Sequence, residues 1–139
     1  MTLQHRCEGR AALGLQDNCI YLARDGAMRR YAKTAGLLRS AGRDPELMDG
    51  RMLALYQVNG PEDVHCPIWE MHPDGDELLI LTSGSLSVEC RDGGTGHATP
   101  LPPHAAFIVP AGIWHRLIVH ASSVMIGITP RHNTVHESG

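Results

Sequence analysis

Aromatic residues are scarce in this chain. Two Trp, three Tyr and one Phe make up 4% of 139 residues, so a core has to rest on Leu, Ile, Val, Met and Ala. No apolar run approaches the roughly 18 residues that a membrane-spanning helix requires. Positive charge is also short, with a formal net charge of −3 and a pI near 6.3. That balance argues against a nucleic-acid binder, which carries a basic face. The one basic cluster, Arg29, Arg30 and Lys33, reads as a solvated face. The four cysteines, at positions 7, 19, 66 and 90, form no Cys-x-x-Cys pair, so neither a zinc knuckle nor a dithiol redox motif is indicated. The first residues mix charges and lack the apolar stretch of a secretory leader. Reduced thiols and a cytoplasmic location are therefore expected. No long helical period follows residue 45, which disfavours a parallel α/β fold.

Histidine, by contrast, is abundant, with nine in the chain, and turn signals are frequent. Residues 1–15 show no period and are expected as a loose arm. Residues 18–23 predict a short strand. Met28, Tyr31, Ala35 and Leu38 recur at near-helical spacing and predict a helix over 27–42, interrupted by Gly36 and ended before Pro45. From Met52 onward short apolar runs alternate with turns: 52–58, 64–72, 77–82, 85–90, 105–109, 114–120 and 123–129. Many short strands at this spacing predict an antiparallel sandwich or barrel. The expected organisation is an N-terminal arm with the first strand over 1–50, a barrel over 51–130 and a tail over 131–139.

The chemistry concentrates in two segments. In Trp69-Glu70-Met71-His72 alternate residues share a face, so Glu70 and His72 project together with Cα atoms roughly 6–7 Å apart. The Pro73–Asp76 turn then returns the chain, and Glu77 can come back beside His72. Glu77, Leu79 and Leu81 share one face, a polar head above an apolar wall. In the second segment, Pro110-Ala111-Gly112 makes a tight turn and His115 opens a strand with Leu117 and Val119 on its face. If the two strand pairs face each other, two imidazoles and one or two carboxylates converge. That donor set suits Fe, Mn, Ni, Zn or Cu, and two His with one carboxylate leave positions open for water or substrate.

The pattern Glu70-x-His72-x4-Glu77-x6-Gly84, followed by Pro110-x-Gly112-x2-His115, resembles the two motifs of the cupin superfamily. The resemblance covers residues 64–119. It implies an all-β, cupin-like double-stranded β-helix (jelly-roll barrel) with a partly helical N-terminal arm. Carried over by position, it implies metal ligation by His72, Glu77 and His115. Glu70 stands where those motifs have a histidine, as ligand, hydrogen-bond acceptor or catalytic base. Val64, His104 and Val119 replace the motifs' opening glycines and closing asparagine. The segment Trp69–Glu77 also resembles a subgroup of small, mostly uncharacterised bacterial cupins.

Other candidates carry plainer expectations. Asp76 should cap the turn backbone. His65 has the opposite strand parity from His72 and should point away. His120 should face solvent or a subunit contact, His104 should be exposed, and His136 should stay in the tail. Trp69 and Trp114 should lie on the face opposite the site as core or interface anchors. Cys66 and Cys90 should be small buried residues. Two functions follow: a metal-dependent oxygenase or isomerase acting on a small metabolite, or a non-catalytic small-molecule-binding or sensory barrel. Neither nucleic acid nor membrane is an expected partner. Open strand edges favour a homodimer.

Overall fold

The computed structural model describes residues 10–34 and 36–139. Cys7, most of the expected arm, and Ala35 of the expected helix lie outside the described residues. The fold is all-β and antiparallel, a rolled barrel of nine strands. They are β1 (Asn18–Leu22), β2 (Met28–Ala32), β3 (Arg51–Val58), β4 (Trp69–Met71), β5 (Glu77–Asp92), β6 (Thr95–Leu101), β7 (Ala106–Val109), β8 (Trp114–Thr129) and β9 (Val135–Glu137). Among the described residues, one short helix, α1 (Leu37–Ala41), and two 3-10 turns accompany them.

The helix expected over 27–42 is mostly absent. Residues 28–32 form β2 instead, paired with β1 from Asn18↔Ala32 to Leu22↔Met28. The reason is local. The amide of Ala27 bonds the Asp25 carboxylate at 2.9 Å and Gly26 takes φ 94°, closing a hairpin that a helical spacing of apolar residues does not override. β1 then adds to β3, so this N-terminal hairpin extends the sheet.

Four of the expected strands are in fact two long ones. β5 and β8 are 16 residues each and pair along nearly their whole length, with irregular register between Leu81 and Leu86. Ser83-Gly84, read as a turn, is a bulge within β5. Gly84 takes φ +99°, and a Cβ there would stand 2.4 Å from the Ser122 carbonyl. Glycine is what lets the two strands bend together at that point. β6, absent from the sequence reading, is the return strand across the Gly93-Gly94 turn.

Alternation along β5 and β8 builds the core. Leu79, Leu81, Leu86, Val88, Val109, Leu101, Val58 and Met125 are buried together. A smaller cluster of Cys19, Tyr21, Ala41, Leu47, Met52 and Ala54 lies under the N-terminal strands. The site sits where β4, the start of β5 and the start of β8 meet: Glu70 is opposite His115 in register.

Candidate metal centre

Two turns are laced together at this end of the barrel. The amide of Gly112 donates to the His72 carbonyl at 2.9 Å, and the amide of Ala111 donates to the Asp76 carboxylate at 2.8 Å. Asp76 thus caps backbone, as expected, though of the facing turn rather than its own. Gly112 takes φ +80°, a conformation the tight Pro110–Gly112 turn needs.

Strand parity carries the side chains inward. His72, Glu77 and His115 are only 2%, 6% and 3% exposed. His115 Nε2 lies 2.9 Å from Glu77 Oε1. His72 Nε2 lies 3.4 Å from Glu77 Oε2 and 3.6 Å from Glu70 Oε1. The two imidazole centroids are 5.3 Å apart. Glu70, His72 and His115 can each offer one ligand atom with all three atoms within 4.8 Å of one another. The structure therefore brings all four predicted site residues together, with Glu70 the most exposed and facing the cavity.

Hydrogen bonds orient the rings. Thr134 Oγ1 donates to the Pro130 carbonyl at 3.3 Å and lies 2.8 Å from His72 Nδ1. Its proton being so used, Thr134 accepts from His72 Nδ1–H, an assignment drawn from the network. His115 Nδ1 faces the Ile113 carbonyl at 3.3 Å, which only accepts. Both rings thus turn Nε2 toward the carboxylates. Thr129 Oγ1 donates to Glu77 Oε2 at 2.6 Å.

Electrostatics follow from these contacts. Burial pushes the Glu77 carboxyl up, yet its bond to His115 and the nearby His72 imidazole outweigh burial and hold it well below the usual carboxylate range. Burial pulls the His115 imidazole down, but Glu77 outweighs that and holds it above its ordinary value. His72 Nε2 differs. It is buried and, among the described residues, has no hydrogen-bond partner.

Several residues fall where the sequence did not place them. His65 follows a 3-10 turn with φ 57°. Strand parity does not apply there, and His65 lines the cavity over the site instead of pointing away. β9 pairs with β4, placing His136 opposite Glu70, with Nε2 3.8 Å from Glu70 Oε1. His120 is exposed, as expected, and bonds Ser87 at 2.8 Å. Cys66 and Cys90 are partly rather than fully buried, and both are free thiols. Thr129 and Thr134, which orient the site, were missed. Thr129 closes the strand expected over 123–129, whereas the Thr134-Val135-His136 alternation is too short to predict a strand.

The cavity is about 530 Å³, within the range of small-molecule sites. Leu79, Leu117 and Met125 supply apolar wall, and Lys33, Tyr56, His65, Arg131 and His136 also border it.

An all-β antiparallel barrel with a His/Glu cluster of metal-binding size is the class these features define. No family model matches the chain, and no curated protein does. Among solved structures it is similar to a cupin-2 domain containing protein from Shewanella frigidimarina, at 24% identity over 58% of this chain and 71% of that one, TM-score 0.47. It is similar to a cupin superfamily protein from Desulfitobacterium hafniense, at 21% identity over 57% and 65%, TM-score 0.46. It is also similar to hydroxypropylphosphonic acid epoxidase from S. wedmorenis, at 13% identity over 88% and 60%, TM-score 0.49. The match spans less than two thirds of the length of the last two proteins.

Proposed function

We propose that this chain is a cupin, of the small subgroup its Trp69–Glu77 segment resembles, and a metal-dependent enzyme, an oxygenase or isomerase, acting on a small metabolite. A divalent transition ion (Fe, Mn, Ni or Zn) would be held by His72, His115, Glu77 and Glu70. One observation carries the reading. His72 Nε2 is buried, has no hydrogen-bond partner among the described residues, and faces oxygens of two carboxylates at 3.4 and 3.6 Å. With Nδ1–H given to Thr134, that nitrogen presents a lone pair to negative charge. An uncompensated arrangement of this kind is costly in a buried site, and a cation between the three groups resolves it. Imidazole nitrogen with carboxylate oxygen is a donor set that fits such an ion.

The ion would supply Lewis-acid or redox chemistry. The chain's own groups have separable tasks. Thr134 and the Ile113 carbonyl fix the orientation of the two rings. Thr129 holds Glu77. Leu79, Leu117 and Met125 keep the wall dry. Glu70, partly exposed, can accept a proton and pass it through a water to His136, whose Nε2 lies 3.8 Å from its Oε1.

A second reading is a non-catalytic binding barrel. It is favoured by the presence of four potential protein ligands, since a filled coordination sphere leaves no position for substrate. A homodimer and a cytoplasmic location belong to the same proposal. Among the described residues no helix is long and apolar enough to cross a membrane.

Elemental analysis of the purified chain is expected to give about one transition ion per chain, and background metal for the His72→Ala/His115→Ala double variant. Wild-type protein that takes up no Fe(II), Mn, Ni or Zn on refolding would sink the metal reading.

A further inference from the structure

Lys33 borders the same cavity but takes no part in the candidate metal centre. It follows β2, and its backbone amide donates to the Asp17 carbonyl at 2.8 Å. Its ammonium donates to the Leu55 carbonyl and sits 5.3 Å from the centroid of the Tyr56 ring. Both partners are neutral. Among the described residues no carboxylate stands within ion-pair distance of it. An ammonium has three donors, so two remain. A half-buried cation held only by a carbonyl and a ring face has given up part of its water without gaining a counter-charge.

Tyr56, Leu79 and Met125 line the cavity that Lys33 shares with Glu70, Glu77 and His115. Tyr56 and Thr129 both approach Gly127: a Cβ there would stand 3.3 Å from Tyr56 Cε2 and 3.4 Å from Thr129 Oγ1. Thr129 in turn bonds Glu77. A side chain at position 127 would therefore crowd both the Tyr56 ring and the Thr129 hydroxyl that holds the buried carboxylate. No hydrogen bond engages the Tyr56 hydroxyl among the described residues, and burial pushes its pKa up to about 12, so it is a neutral donor at ordinary pH. Arg131 also borders the cavity. It has partners of its own, and adds positive potential without being counted as available.

We propose that the cavity selects a small organic acid, whose carboxylate is taken by Lys33 while the rest of the molecule extends over Leu79 and Met125 toward Glu70, His72 and His115. The inference rests on the metal reading for where the reacting end goes. A divalent ion balances Glu70 and Glu77, so an anion entering the loaded cavity meets Lys33 rather than uncompensated carboxylates. A charge-assisted hydrogen bond to a carboxylate is roughly twice as strong as one to a neutral oxygen, which gives the site a means of rejecting the uncharged analogue.

The test is calorimetric titration of the zinc-loaded chain, and separately of the metal-stripped chain, with benzoate against benzamide and hexanoate against hexanamide. Each acid is expected to bind the loaded wild type about tenfold more tightly than its amide. Lys33→Gln, which keeps a donor for Leu55, should erase that preference, and Lys33→Arg should retain it. Equal affinity for acid and amide, no binding by either acid, or a preference that survives Lys33→Gln overturns the proposal. Metal content measured on the same samples separates the two readings. An acid preference that depends on Lys33 in a chain that loads no metal leaves the Lys33 assignment standing and sinks the metal reading. Full metal loading without an acid preference does the reverse.

Discussion

The two faces of the β4–β8–β5 corner are built from alternating residues of the same strands, yet they satisfy their polar groups in opposite ways. On one face Arg116 bonds Glu89 at 2.9 Å and lies 4.2 Å from the Trp69 ring centroid. Arg91 stands between Trp69 and Trp114, at 4.7 and 5.5 Å, and reaches Glu137 at 3.1 Å. Each cation there has an anion and a ring. On the other face two carboxylates and two imidazoles crowd together, and one buried nitrogen has no hydrogen-bond partner among the described residues. Trp69 and Trp114 lie opposite the site, as parity requires. The first face is complete with the chain alone, whereas on the metal reading the second would be completed by an ion.

Apart from the loss of both histidines, the strongest way to break this contrast is Thr134→Val. It removes the acceptor for His72 Nδ1–H while leaving every candidate ligand in place. Metal affinity, measured by chelator competition, should fall about 10–100-fold, and Thr134→Ser should restore it. If the valine variant binds as tightly as wild type, Thr134 is not a positioning residue.

Arg91→Ala acts on the other face. It should lower the denaturant-unfolding free energy by about 1–2 kcal/mol, since the cation is largely desolvated by two rings but its ion pair is partly screened. Metal stoichiometry should not move. A loss of metal would show that the faces are coupled, contrary to the separation drawn here.

The smallest effect falls on the cavity wall. Burial raises the Tyr56 phenol from its ordinary value near 10 to about 12, with Arg131 opposing in part. A raised pKa means the neutral form is favoured in the folded state. The stability this contributes is fully present below pH 10 and is lost as pH rises through 12. Tyr56→Phe should flatten the fall in melting temperature over that interval and remove one late-titrating phenol from the absorbance at 295 nm. A fall as steep in the variant as in wild type would remove Tyr56 as its cause.

Much of this was legible in sequence because period 2 and turn chemistry are local. Glu70, His72, Glu77 and His115 could be placed on one face from their spacing to Pro73-Asp74-Gly75-Asp76 and Pro110-Ala111-Gly112. What local rules could not show was pairing. β2 reads as helix until β1 claims it, and Ser83-Gly84 reads as a turn until β8 continues opposite. β9 has only three residues, and its partner β4 lies more than sixty residues earlier. Thr134 and His136 reach the site through that pairing alone. His65 was misplaced because the parity argument assumed a strand where the chain makes a 3-10 turn.

The lacing of the two turns has a mechanical consequence. Gly112 holds the His72 backbone and Ala111 holds Asp76, next to Glu77, while His115 follows the same turn. Three of the four candidate ligands are thus fastened to one clasp and cannot shift separately. Glu70 alone stands outside it, on a three-residue strand and partly in the open. On the metal reading, differences in ionic radius or coordination number would fall mainly on that one carboxylate. The site is stiff on three sides and compliant on the fourth, and discrimination between ions would become a question of how far Glu70 can swing.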